Sequence, residues 1–420
     1  MLRTTVWVVA GLCAIGLLVA GSVELRKRED ARKLTTEAEQ VLNPPLRRAP
    51  ELTRIEAARA RMLLDEAIEL QQDSHARGLL AYAEALDEYQ KGRLPRAQAA
   101  LARARRALPA GAPLSVLAGA IAMQAGDGHA AAQQAAAALA QAPRDARARL
   151  LASDVAADAG DAQRALQLLE ALIAEDSGIG TLYNRRGLAH EALGQLGAAR
   201  ADFERASTLD PSLPQPYVNL GRLLRDQGRA RDAEQAFALA IERGPSEAQA
   251  WLGRGLSRIA QGDLEGGELD VQHARDLAPA EPAPLIALAD IDAQHGRLDA
   301  AVDRYRAALA LDGDDGVAWL KLGNALTRKR EYANARAAFT RAIARDPEMA
   351  AAHNGLGAAL MGLGDTAAAE QAFSKAAALD QSDPNPLRNL ALLYARNGHP
   401  RAARDARAQA LLRAPGTNLN

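Results

Sequence analysis

The 420-residue chain is close to neutral, with 51 Lys and Arg against 52 Asp and Glu, and so lacks the basic excess of a nucleic-acid binder. Hydrophobic residues reach 48% while aromatics stop at 3%, so the apolar content is carried by Ala and Leu, strong helix formers that suit close helix packing over long stretches. The single cysteine, Cys13, excludes an intramolecular disulfide and argues against a thiolate metal site or a Cys/His nucleophile.

Residues 4–23, TTVWVVAGLCAIGLLVAGSV, form one uncharged apolar run. At about 1.5 Å per residue it matches a hydrocarbon core of about 30 Å. Transmembrane anchor, cleaved signal peptide and lipoprotein signal compete for it. Leu12 stands before Cys13 where a lipoprotein signal needs a small residue. Ala20-Gly21-Ser22 resembles a cleavage site, but Arg26, Lys27 and Arg28 follow at once and resist export, which favours an uncleaved anchor. Arg3 precedes the run, whereas Arg26, Lys27, Arg28, Arg32 and Lys33 follow it. The positive-inside rule therefore leans the C-terminal bulk toward the cytoplasm, while a short N-terminal tail that stays inside would place it in the periplasm. The expectation is a single-pass protein of the inner (cytoplasmic) membrane.

After the run, residues 24–42 read as a charged helix that Pro44-Pro45 ends, because proline lacks an N–H and clashes with the turn before it. Residues 51–70 read as another, with Ile55, Met62, Leu63, Ala67 and Leu70 at helical spacing. It is either a leading cap or a decayed repeat.

From residue 78 the sequence falls into register every 34 residues, giving ten repeats that begin at Gly78, Ala112, Ala146, Gly180, Pro214, Ala248, Pro282, Gly316, Ala350 and Pro384. Position eight is always small (Gly119, Gly187, Gly221, Gly255, Gly323 and Gly357 among them), as needed where two helices cross closely. Positions 20 and 27 are alanine almost throughout, with Gly267 and Leu172 as the departures. Position 15 is glycine in nine repeats and marks a left-handed turn between helices; Arg330 is the exception. Position 24 carries bulk, as in Phe203, Phe237, Tyr305, Phe339 and Phe373, and proline closes most second helices.

The repeat from Pro214, with Tyr217, Leu220, Gly221, Leu224, Gly228, Ala233, Phe237, Ala240 and Pro245, resembles the tetratricopeptide repeat family. That from Gly316 does so through Trp319, Leu322, Gly323, Ala335, Phe339, Ala342 and Pro347. The first three repeats depart from the pattern, with Ala81, Ser115 and Arg149 where an aromatic is usual. The resemblance implies an all-α solenoid, a right-handed superhelix of about ten helix-turn-helix repeats, here with an N-terminal transmembrane helix. The division is residues 1–25 as anchor, 26–77 as juxtamembrane helical linker and leading cap helix, 78–417 as the ten repeats and 418–420 as tail. Arg404, Asp405 and Arg407 would give the last helix a polar outer surface.

No catalytic constellation rises above background. The seven histidines include no i, i+4 pair. Gly355-Leu-Gly357 opens like a dinucleotide fingerprint but falls within a first helix, where packing explains it, and Asp210, Asp346 and Asp380 read as helix terminators. The expectation is a chain that is not an enzyme and takes no cofactor, metal, nucleic acid or small-molecule substrate.

The resemblance implies instead a groove lined by positions 2, 5, 6, 9, 12 and 13 of the first helices. Asn184, Arg185, Asn219, Arg222 and Arg225 form one polar patch there, and Lys321, Asn324, Arg328, Asn354, Arg388, Asn389 and Arg396 another. Asparagine can hydrogen-bond a peptide backbone in both senses and arginine can grip a carboxylate with two prongs. Val116, Leu117, Met123, Leu252, Leu256 and Ile259 make other stretches apolar. The expected partners are proteins or peptide segments in the groove and the membrane through residues 4–23. The expected function is a membrane-anchored scaffold in assembly of a membrane or envelope complex, similar to bacterial factors for pilus assembly, polysaccharide export or cytochrome maturation. The alternative is a subunit of a polysaccharide-export or secretion machine that contacts polymer directly, for which Tyr82 and Tyr89 are the candidate platforms.

Overall fold

The computed structural model describes residues 23–42, 54–71 and 73–413. Among them lie twenty-two helices and no strand, an all-α solenoid. The chain divides into two compact halves, residues 1–219 and 220–420, with the boundary inside the helix Pro214–Asp226.

Each repeat folds as the columns dictate. Position 15 is left-handed in all ten, with glycine φ between 71° and 92° and Arg330 at 63°. The turn carries two hydrogen bonds back into the first helix, as where Gly126 N–H donates to Met123 O at 2.9 Å and Asp127 N–H to Ala122 O at 2.9 Å. Arg330 makes the same pair, donating to Thr327 O at 3.0 Å while Glu331 N–H reaches Leu326 O at 2.9 Å. An aspartate often follows the glycine and caps the second helix. Asp127, Asp161, Asp263 and Asp365 accept from the N–H three residues on. Asp210, Asp346 and Asp380 end second helices as expected, each accepting from the N–H two residues on.

Packing inside a repeat is a ring against a bare backbone. Phe339 is fully buried, and a Cβ placed at Gly323 of its own repeat would lie 2.6 Å from its ring, at Gly355 of the next only 2.3 Å. Phe237 is seated the same way against Gly221 and Gly253. The Gly355-Leu-Gly357 pair is thus a packing feature of α19 (Ala350–Leu363), with Gly357 against Phe373. The aromatic at position four has its own task. Trp251, Trp319 and Tyr183 each donate to the carbonyl six residues back (Pro245, Gly313 and Ser177), satisfying backbone at the preceding helix end. Arg149, which replaces that aromatic, donates to Arg144 O at 3.0 Å and grips Glu175 with both prongs.

At the N-terminal end, α1 (residues 23–42) and α2 (Arg54–Leu70) share one apolar cluster with α3 (Ser74–Gln90), built from Ala38, Leu42, Ala60, Leu64, Ala76 and Leu79. Met62, expected on the apolar face of α2, is 74% exposed, and Leu64 is buried in its place. The core stripe is Ala60-Leu64-Ala67, at spacings of four and three, and Met62 lies off it. The first repeat starts earlier than its register, at Ser74, because Asp73 caps α3 by accepting from His75 N–H at 3.1 Å.

Among the described residues no helix is long and apolar enough to cross a membrane. Residues 4–22 of the apolar run lie outside the described residues, as does the tail at 418–420. In the final helix, α22 (Pro400–Arg413), Arg404, Asp405 and Arg407 are exposed as expected, and Arg413 donates to the carbonyls of Ala377, Asp380 and Asp383.

Candidate partner-binding face

Consecutive first helices touch one another, α3 with α5 (Ala112–Gln124) and α5 with α7 (Ala146–Asp158) in the first half. In the second half, α17 (Gly316–Arg328) touches α19, and α19 touches α21 (Asn385–Arg396). Positions five, six and nine of adjacent repeats therefore share one face.

In the first half Asn219 donates to Asn184 Oδ1 at 2.9 Å, and Arg185 Nε donates to Asp154 Oδ1 at 2.8 Å. In the second half Asn389 donates to Asn354 Oδ1 at 2.9 Å, and Lys321 Nζ to Asp290 Oδ2 at 2.6 Å. One register rule covers all four: position six reaches back to position five or nine of the repeat before it. The remaining patch residues are more varied. Arg222 and Arg225 are half-buried in the second half, Arg225 beside Asp226 at 3.2 Å. Arg328 donates to Ala293 O at 2.7 Å, Arg388 to Asn385 Oδ1 at 3.4 Å, and Asn324 and Arg396 are exposed.

The structure thus brings the pairs Asn184–Asn219 and Asn354–Asn389 together and gives Arg185 and Lys321 carboxylate partners from this chain. Sequence reasoning missed Asp154 and Asp290, although both stand at position nine, one of the positions assigned to the groove. The signal was an acid 31 residues before a position-six cation. Two other expectations need correction. Leu117 is buried in the core and does not belong to an apolar groove surface, whereas Val116, Met123, Leu252, Leu256 and Ile259 are half-buried. Tyr82 is also core, 6% exposed, with its hydroxyl pKa pushed up to about 12 by burial, so it offers no stacking platform. Tyr89 is half-buried.

Models of the tetratricopeptide repeat match residues 116–179, 180–213 and 218–282, and one for the cilia and flagella-associated protein 70 C-terminal domain matches residues 282–413. The edges at 180 and 282 coincide with the first residues of repeats. The units are tetratricopeptide repeats. Among curated proteins the chain is similar to the Homo sapiens protein O-mannosyl-transferase TMTC1, 28% identical over 178 residues, which is 41% of this chain. It spans only 19% of that relative's length. Among solved structures it is similar to the APC/C hetero-tetramer Cut9-Hcn1 (TM-score 0.45, 15% identity, 87% of this chain and 92% of that one). Yeast Tom70 gives a TM-score of 0.44 at 14% identity, covering 93% of each chain. The type IV pilus biogenesis factor PilW gives 0.45 at 19% identity, over 49% of this chain and 96% of that one.

Behind the tetratricopeptide face lies a second feature that the sequence reading overlooked. Position seven is leucine in five repeats, and in four of them (Leu220, Leu322, Leu356, Leu390) it stands opposite alanine at position 23 (Ala236, Ala338, Ala372, Ala406), while Leu288 stands opposite Arg304. Where position seven is arginine, position 23 is aspartate. Arg186 grips Asp202 at 2.8 and 2.6 Å, and Arg254 grips Asp270 at 2.8 Å with both prongs. Both aspartates are buried, and each arginine stacks on the position-four ring, Tyr183 or Trp251. The hydrogen bond to Asp202 holds the Arg186 guanidinium charged. The repeat from Pro282 inverts the polarity, with buried Asp292 on its first helix paired to Arg304 at 2.6 Å. Among the described residues no His, Cys, Asp and Glu group is arranged to hold a metal ion.

Proposed function

We propose that the chain is a membrane-tethered scaffold that holds extended, acid-bearing segments of partner proteins against its first helices, in the assembly of a membrane or envelope complex. Tetratricopeptide repeats are protein-interaction modules, and the observation that carries the finer reading is the row of amides and cations in one register. Each Asn–Asn pair uses one donor and one acceptor and leaves the others able to bond a peptide backbone. Arg185 and Lys321 already hold carboxylates, which is the chemistry an acidic segment would offer. The tether is supported by the uncharged run at residues 4–23 and the basic residues behind it, which also lean the repeats toward the cytoplasmic side.

The test is partner capture by crosslinking and pull-down of the full chain from detergent-solubilised membranes. Charge reversal at Arg222 and Arg225 should reduce capture. Unchanged capture by a folded variant removes those residues from the face. Extraction of the chain from membranes by alkaline carbonate would sink the tether. Labelling of a cysteine introduced at exposed Ser74 by an impermeant reagent, in intact against opened cells, reads the side.

A further inference from the structure

Lys321 and Asp290 meet on an accessible surface. Their side chains are 33% and 35% exposed, and one of the three ammonium donors is spent on Asp290 Oδ2 at 2.6 Å. Asp290 is held from the other side by Tyr305, whose hydroxyl donates to Oδ1 at 2.5 Å. Burial and the neighbouring Asp290 push Tyr305 ionisation far up, so its hydroxyl stays a donor. Asp290 therefore keeps a partner when Lys321 lets go. Asn324 and Arg328 lie three and seven residues beyond Lys321 on α17, along the same stripe.

We propose that Asp290 is a resident stand-in for a partner's carboxylate: an acidic segment displaces it from Lys321, and Asp290 sets the charge threshold for binding. This rests on the reading of the face as a peptide-holding surface. The exchange is an ion-pair swap with no covalent step. An incoming carboxylate meets the charge of Asp290 beside the ammonium, so a single acid gains little, while a segment whose further acids reach Arg328 overcomes the repulsion. The same arrangement recurs in the other half, where Asp154 holds Arg185 with both side chains a quarter exposed or slightly more.

The test uses the full chain in detergent and a labelled, end-blocked hexaglutamate, with hexaglutamine as the neutral control, read by fluorescence anisotropy. Asp290→Asn keeps an acceptor for Tyr305 and removes the charge, and should tighten hexaglutamate binding by roughly three- to tenfold while leaving hexaglutamine unchanged. Tyr305→Phe, which frees Asp290 to hold Lys321 harder, should weaken it, and Lys321→Gln should weaken it further. If the wild type binds in a Lys321-dependent way but Asp290→Asn binds equally or less well, Asp290 is a brace and the proposal fails while the peptide reading stands. If neither wild type nor Asp290→Asn binds hexaglutamate, the peptide reading falls and takes the proposal with it.

Discussion

At position 15 the backbone must turn left-handed, and an L-residue with a Cβ is held there at a cost of roughly 1–2 kcal/mol. Arg330 bears that cost at φ 63° while making the same turn hydrogen bonds as the glycines. Arg330→Gly should raise the unfolding free energy by about 1 kcal/mol, read as a higher denaturant midpoint at unchanged slope; a lower midpoint would mean that the arginine side chain contributes more than the strain removes. Gly355 poses the converse case, since its missing Cβ leaves room for the Phe339 ring. Gly355→Ala should destabilise by about 1–3 kcal/mol through overpacking, whereas a neutral outcome would show that α19 moves away freely.

The paired charges belong to the scale of the element. Asp270 is 4% exposed and is shared by Arg254 and Arg258, at 2.8 and 3.0 Å. Removing it alone strands charge between two helices. Asp270→Ala should cost about 3–5 kcal/mol, while Arg254→Leu with Asp270→Ala, the pairing that the repeats from Pro214 and Gly316 already use, should return to within about 1 kcal/mol of wild type or exceed it. Equal losses in the single and double variants would show that the pair matters through something other than stranded charge. These elements also show what was legible in advance. The helix-turn-helix phase, the left-handed turns and the small residues at position eight were readable because each recurs at a constant offset within one repeat, whereas the seats of Phe237 on Gly253 and Phe339 on Gly355 cross from one repeat to the next. The Arg–Asp clamps obey the same offset logic, seven against 23, but hide among many surface arginines until burial distinguishes them. The pairing of Lys321 with Asp290 and Arg185 with Asp154 was not readable from single columns, because it depends on how one repeat's first helix lies on the next. The face of α2 was misjudged since a lone helix offers two apolar stripes, and only its packing with α1 and α3 selects Leu64 over Met62.

At the scale of the whole molecule, stability should depend on carboxylates that the fold keeps ionised. Glu175, Glu234, Glu331, Asp276 and Asp380 are all held below the ordinary carboxylate range, the first four chiefly by hydrogen bonds from Arg149, Arg258, Lys329 and Arg275, the last by Ser382. A depressed folded-state pKa contributes stability that is fully present above the unfolded value, about 4 for these groups, and is lost as the pH falls through the folded values. Melting temperature should therefore hold from neutral pH to about 5 and decline below about 4; a melting temperature that rises with acid would contradict this. The larger claim is that partners are held on the first helices. A photocrosslinking residue placed at exposed Asn324 on α17, or at exposed Arg336 on α18 (Tyr332–Arg345), separates the two surfaces within one repeat of the full chain in cells that produce it. The scaffold reading predicts discrete protein adducts from position 324 that acid-rich peptide competes away, and none of them from position 336. Adducts confined to position 336, or at 324 and indifferent to the peptide, would contradict it.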